Sequence, residues 1–212
     1  MIKIEHWSDY RCPFCYIADA EVEEMMKTLG DTSDIVIVNR AFELDPEAPK
    51  EVDYSTADVF SKKYGMSYDA AVKKLAMIDA YGRRVGIDGY NYSGAKPVNS
   101  FDAHRLTKYA EAMGIPGMYD RLMKAYFVDN VNIASHKVLT DIAVEMGLDR
   151  EETKKMLESD RYGAEVRHDE YDAYQHRVTS VPTYLFENGE RFAGAGVAGQ
   201  LKEVILSLRD KK

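Results

Sequence analysis

Ile2-Lys3-Ile4-Glu5-His6-Trp7-Ser8-Asp9-Tyr10-Arg11-Cys12-Pro13-Phe14-Cys15 reads as a strand, a polar turn and the first residues of a helix. Ile2 to Trp7 alternates apolar and polar residues with Ile2, Ile4 and His6 on one side, the period of a strand. Ser8 to Arg11 breaks the pattern. Past the cysteines, Val22, Met25, Met26 and Leu29 recur at i, i+3, i+4 and i+7, the stripe of a helix packed on a sheet, with Gly30 as its stop. Cys12 therefore falls at a strand-to-helix junction. Unsatisfied N–H groups and the helix dipole stabilise a thiolate there, which is the reactive form of cysteine. Pro13 suits the first turn, where its missing N–H has no intrahelical acceptor. Cys15 lies one turn on, within reach of a disulfide. Cys12 is thus the expected nucleophile in thiol–disulfide exchange, and Cys15 the thiol that resolves the mixed disulfide. A zinc half-site would need a second ligand pair, and His168 and His176, eight residues apart, do not supply one.

Outward from this junction, Ile35-Val36-Ile37-Val38 is a continuous β-branched run, expected as a strand buried on both faces. Strand, helix and strand in about 44 residues make a βαβ unit with a parallel pair. From Asp45 to about Arg150 strand patterning disappears. Helical stripes replace it at Ala71, Leu75 and Ile78, at Ala103, Leu106, Ala110 and Met113, and at Val138, Leu139, Ile142 and Met146. Ser67, Asn99 or Ser100, and Ser135 are candidate N-caps, and Gly114 and Gly147 candidate stops. Strand character returns at Thr183 to Phe186, Asn188-Gly189 signals a two-residue hairpin, and Leu201, Val204, Ile205 and Leu208 stripe a last helix. The order β-α-β, helical block, β-β-α is that of an α/β thioredoxin-like fold with a mixed sheet and an inserted all-helical domain. The expected division is 1–45 and 150–212 for the discontinuous thioredoxin-like domain and 46–149 for the insert.

The chain of 212 residues carries 28 Lys and Arg against 36 Asp and Glu, a net charge of −8. That balance argues against nucleic-acid binding. The apolar runs are too short to span a membrane, and the N-terminus has no secretory h-region, so a cytoplasmic location is expected. In a reducing compartment two cysteines are not a structural disulfide scaffold.

Several segments together resemble one family: Trp7 to Tyr16, Ala103-His104-Arg105-Leu106, Ala125-Tyr126-Phe127, Gly147-Leu148-Asp149 and Val181-Pro182-Thr183. Over nearly the whole chain they are similar to the DsbA-like FrnE group, thiol–disulfide oxidoreductases built as a thioredoxin domain with a helical insertion. The resemblance implies a cis Val181-Pro182 bond beside the disulfide; by itself, an X-Pro before a strand is more often trans. A cis bond there would expose the Val181 backbone to an extended substrate, so Val181 and Pro182, with Phe14 and Pro13, are the implied docking residues. DsbA has a histidine between its cysteines, whereas this chain has Phe14, so weaker thiolate stabilisation is expected. Arg11 and His104 are candidate supporting residues, His104 either as a core hydrogen-bonder or as a proton shuttle for Cys15. The late strand continues into Gly194-Ala195-Gly196 where the group often has Gly-Ala-Gln.

Gly194 to Gly199 formally matches a dinucleotide fingerprint, but the chain ends before a βαβ unit could follow, so a turn into the last helix is expected. Its N–H groups could instead hold a carboxylate. Tyr81, Tyr90 and Tyr92 crowd among glycines and suit a lip that grips unfolded chains. The expected function is a protein thiol–disulfide reductase or isomerase using the Cys12–Cys15 dithiol, without metal or other cofactor. Its partners would be protein thiols or disulfides, with glutathione or another thiol protein supplying electrons. Two other classes compete: a glutathione-dependent isomerase or transferase on a small molecule, and a non-enzymatic, chaperone-like binder of unfolded chains.

Overall fold

The computed structural model describes residues 1–210. Strand β1 (Ile2–Ser8) leads into helix α1 (Pro13–Lys27) and strand β2 (Ile35–Ala41). A helical series follows: α2 (Thr56–Tyr64), α3 (Tyr68–Arg84), a 3₁₀ turn at Tyr92–Gly94, α4 (Phe101–Ala112), α5 (Met118–Phe127), α6 (His136–Glu145), α7 (Arg150–Leu157) and α8 (Gly163–Gln175). The hairpin β3 (Thr183–Phe186) and β4 (Arg191–Ala193) and helix α9 (Ala198–Asp210) complete the chain. Among the described residues the sheet has four strands in the order β2-β1-β3-β4. β1 pairs parallel with β2 and antiparallel with β3, and β3 pairs antiparallel with β4. This is the mixed α/β thioredoxin-like sheet that the element order predicts. Among the described residues no helix is long and apolar enough to cross a membrane.

β1 is central, buried on the face of Ile2 and Ile4 and half-buried at Lys3 and Glu5 on the other. Ile2 and Ile4 join Val22, Met25, Leu201 and Ile205 in the layer between the sheet, α1 and α9. Trp7, on the opposite face, joins Cys12, Cys15 and the helical block in a second, larger core. β2 departs from expectation. It lies at the sheet edge, most of its residues are half-buried, and Val36 is exposed. A β-branched run gives the strand but not its place in the sheet, and α8, which packs on β2 and α4, covers only part of it.

The caps at Ser67 and Ser135 form, their hydroxyls accepting the N–H groups of Ala70 and Val138. At α4 Asn99, not Ser100, bonds the first turn through the Phe101 N–H at 2.9 Å. α1 ends at Lys27, before Gly30, because Thr28 closes the helix and bonds the Met25 carbonyl through its hydroxyl at 2.6 Å. The Asn188-Gly189 hairpin has three loop residues rather than two. Gly189 N–H reaches the Phe186 carbonyl at 2.9 Å and Phe186 N–H that of Glu190 at 2.9 Å, with Gly189 at φ +88°. That is a type I turn closed by a left-handed glycine.

The tyrosine-rich segment is not a lip. Tyr90 and Tyr92 are buried, Tyr90 stacked on Phe127 with ring centroids 5.4 Å apart. Tyrosine's flat apolar face is used here for core packing, and the Tyr90 hydroxyl donates to the Pro13 carbonyl at 2.9 Å, tying the insert to the start of α1. Gly82 of α3 makes room for that ring: a Cβ there would lie 2.3 Å from Tyr90 Cδ1. Gly82→Ala is therefore expected to destabilise the protein by about 1–3 kcal/mol, the usual effect of overpacking. Urea unfolding should also be accompanied by altered Cys12 reactivity, because the displaced ring carries the Pro13 contact; an unchanged unfolding midpoint would contradict this packing.

Candidate active site

Cys12 is the N-cap of α1, in extended conformation, with Pro13 at the first helical position. The turn before it is closed by Cys12 N–H to the Asp9 carbonyl at 3.0 Å, and Cys15 N–H reaches the Cys12 carbonyl at 3.0 Å. Both cysteines are free thiols and buried, Cys12 retaining 4% exposure and Cys15 none. The Val181-Pro182 bond is cis. Cys12 Sγ donates to the Val181 carbonyl at 3.3 Å, so two segments 169 residues apart meet at the nucleophile. The Pro182 carbonyl accepts Gly194 N–H at 2.9 Å, and Thr183 Oγ1 bonds the Ser180 carbonyl at 2.7 Å. Of the implied docking residues, Phe14 is 39% exposed while Pro13 and Val181 are buried.

Arg11 is not free in solvent. Its guanidinium lies 3.2 Å from Asp45 Oδ2 and bonds the Asp45 carbonyl at 3.3 Å. His104 is buried with Nε2 3.5 Å from Asp9 Oδ1, and its ring packs 4.7 Å from that of Tyr10. The structure thus brings His104 to the turn before Cys12. Gly196 N–H does hold a carboxylate, but an internal one: Glu21 Oε2 at 2.6 Å, whose other oxygen accepts the Tyr81 hydroxyl at 2.7 Å.

The sequence reading missed a polar chain beneath Cys15. Burial and the neighbouring Cys12 push the Cys15 thiol well up, while the Ser8 hydroxyl works in the opposite direction. Ser8 Oγ is 2.6 Å from the Tyr119 hydroxyl, which donates to Asp19 Oδ2 at 2.7 Å. The Tyr184 hydroxyl donates to Asp19 Oδ1 at 3.4 Å. Burial pushes the Asp19 carboxyl up to about 7, against the lowering by these two donors. Hydroxyls can reverse their direction of donation, so the chain Ser8–Tyr119–Asp19, which begins at the hydroxyl that acts on the Cys15 thiol, can pass a proton in either direction. Asp19 is 19% exposed and lines a cleft of about 1030 Å³ between α1, the end of α3 and α5, with Glu23, Arg84, Asp120 and Lys124 around it. Asp19 sits four residues after Cys15, one helical turn, which is the signal the sequence offered for it.

Comparison with known proteins bears on the fold and the family. The probable DsbA oxidoreductase SCO1869 from Streptomyces coelicolor superposes with a TM-score of 0.92 at 28% identity, over 100% of this chain and 92% of that one. 2-Hydroxychromene-2-carboxylate isomerase gives a TM-score of 0.72 at 16% identity, over 99% and 97% of the two chains. The cytosolic disulfide reductase DsbM from Pseudomonas aeruginosa, solved with GSH, gives 0.63 at 16% identity, over 99% and 100%. At those identities the last two establish likeness of fold alone. The sequence profile of the DSBA-like thioredoxin domain matches residues 3–205, and the chain belongs to that family.

Proposed function

We propose that the protein is a thiol–disulfide oxidoreductase that reduces or isomerises disulfides through Cys12 and Cys15. The observation that carries this reading is the meeting of the Cys12 sulfur, at the N-terminus of α1, with the Val181 carbonyl. Cys12 thiolate attacks one sulfur of a substrate disulfide, forming a mixed disulfide and expelling a substrate thiolate. Cys15 thiolate then attacks the Cys12 sulfur of that mixed disulfide, closing the Cys12–Cys15 disulfide and releasing the second substrate thiolate. The Cys15 proton passes through Ser8 and Tyr119 to Asp19. Two molecules of a thiol such as glutathione return the pair to the dithiol and leave as their own disulfide. An extended substrate chain pairs with the backbone at Val181, beside Pro182, and rests on the exposed ring of Phe14, next to Pro13. This reading keeps the reducing, cytoplasmic setting expected from the sequence and the likeness to the FrnE group, and it needs no metal or nucleotide.

A small-molecule isomerase on the same fold is the second reading, favoured by the structural likeness to 2-hydroxychromene-2-carboxylate isomerase. The buried proton chain under Cys15 favours the first, since a single-thiol isomerase has no use for it. Equilibration of the Cys12–Cys15 pair against glutathione decides the matter. Trp7, the single tryptophan, lies in the same core as both cysteines and reports the change by fluorescence. A reversible transition is expected between about −270 mV, as in thioredoxin, and about −120 mV, as in DsbA. No reversible transition would overturn the redox reading.

A further inference from the structure

We propose that Asp9 is the positioning residue of the nucleophile, and that His104 of the inserted block is its partner. The proposal deepens the redox reading above and rests on it for the identity of Cys12 as the reacting group. Asp9 is 0% exposed, and its carbonyl and both carboxylate oxygens accept hydrogen bonds. Its carbonyl accepts Cys12 N–H at 3.0 Å, Oδ1 accepts Arg11 N–H at 3.2 Å, and Oδ2 accepts Leu44 N–H at 2.7 Å. The first two bonds form the turn that an Asp in this position favours, its side chain bonding the backbone two residues on. The third reaches the loop that follows β2. That loop carries Asp45, which in turn holds the Arg11 guanidinium. One carboxylate therefore fixes the loop that bears Cys12 and the loop beside it.

A buried carboxylate must be compensated. Burial pushes Asp9 up, but the His104 imidazole and the Leu44 N–H outweigh it and hold the carboxyl below its ordinary range. His104 comes from α4, 95 positions along the chain, so the helical insert helps to set the geometry of a turn in the thioredoxin-like part. The neighbouring Arg105 has a different task. It bonds Asp102 at 2.7 Å and the Met156 carbonyl at 2.8 Å, anchoring α4 to the end of α7. The consecutive residues thus divide between holding α4 in place and presenting an imidazole to the active-site turn.

The test compares Asp9→Ala, Asp9→Asn and His104→Gln in the full chain. Cys12 alkylation by iodoacetamide is followed across pH by the mass of the adduct, and folding is checked by circular dichroism. Asp9→Ala should slow the pH-independent limit of alkylation by about tenfold, the effect of freeing a turn held by charge-assisted hydrogen bonds. Asp9→Asn, which keeps an acceptor for Arg11 N–H, and His104→Gln should each slow it less. A residue that only supported the fold would lower the unfolding midpoint and leave both the limiting rate and the pH midpoint of the folded protein unchanged. A carboxylate acting only as a like charge on the thiolate would, when removed, lower the pH midpoint and speed alkylation only below it, with no tenfold loss in the limiting rate. Either result overturns the proposal. Should Asp9→Ala fail to fold, Asp9→Asn and His104→Gln with wild-type rates and midpoints overturn it equally. Failure of the redox reading is separate: wild-type protein would then alkylate normally yet show no reversible equilibrium with glutathione.

Discussion

Cys12→Ser is expected to abolish disulfide exchange to background, and Cys15→Ser to stop it at the mixed disulfide. The two outcomes differ because the thiols occupy different environments. Cys12 sits at the helix N-terminus with some exposure and the Val181 carbonyl beside it, where it can meet a substrate. A serine hydroxyl there is not ionised at neutral pH and cannot take up a sulfur. Cys15 is wholly buried, and burial together with Cys12 keeps its thiol well above the ordinary range. Without it the first displacement still occurs, but nothing attacks the Cys12 sulfur from within. Incubation with a disulfide-bonded peptide, quenched by acid and analysed by mass, should reveal an accumulating adduct of Cys15→Ser and none of Cys12→Ser. Full multiple-turnover activity of Cys15→Ser would instead favour the single-thiol isomerase reading.

The second large effect is at Asp19. A carboxyl that titrates at 3.8 in an unfolded chain and at about 7 in the folded one is protonated in the fold and ionised in the unfolded chain through the interval between. The folded protein then holds the extra proton, so the contribution of Asp19 to stability is most favourable below about pH 4, falls as the pH rises toward 7, and levels off above that. Each pH unit corresponds to about 1.4 kcal/mol, so the ionised group destabilises the fold by on the order of 4 kcal/mol above pH 7, less whatever solvent in the cleft relieves. Asp19→Asn should remove this slope and be more stable than wild type at about pH 8, as measured by urea unfolding over a pH series. The same variant should resolve the mixed disulfide more slowly, by roughly tenfold to a hundredfold, because the Cys15 proton loses its acceptor. A wild-type slope in the stability series, or a wild-type rate of substrate release in rapid-quench experiments, would exclude this role. Gain in stability with loss of rate is the pattern of a group retained for chemistry rather than for the fold.

Tyr119→Phe separates the proton route from the carboxylate itself. The change keeps the ring in the core but breaks the link between Ser8 and Asp19. It follows that substrate release should slow while most of the pH dependence of stability persists, since Asp19 remains buried; release at the wild-type rate would mean the proton leaves by another path.

Local sequence carried much of the architecture because its signals act over a few residues. The alternation at Ile2 to Trp7, Pro13 after Cys12, and the stripe through Val22 and Met25 each describe one element and its first neighbour. The serine caps at Ser67 and Ser135 are equally local. Helix α2 was legible too, through the reciprocal bonds of Ser55 and Asp58, a capping box whose signal the apolar-stripe reading passed over. The edge position of β2 was not legible, because a β-branched run has the same composition wherever the sheet order puts it. Nor was the core role of Tyr90 and Tyr92, since a tyrosine's exposure depends on which ring arrives to stack on it.

The candidate site divides along the same line. The identity and spacing of Cys12 and Cys15, at a strand-to-helix junction, follow from the sequence alone, because a helix N-terminus and a one-turn separation are properties of contiguous chain. The contact of Cys12 with Val181, the bond from Asp9 to Leu44, the approach of His104 and the chain from Ser8 through Tyr119 to Asp19 were decided by tertiary structure. Their partners are separated by 169, 35, 95 and, for Tyr119 to Asp19, 100 positions. Pairings at such distances leave no periodicity to read; they exist only where the sheet order and the packing of the helical insert bring those residues side by side.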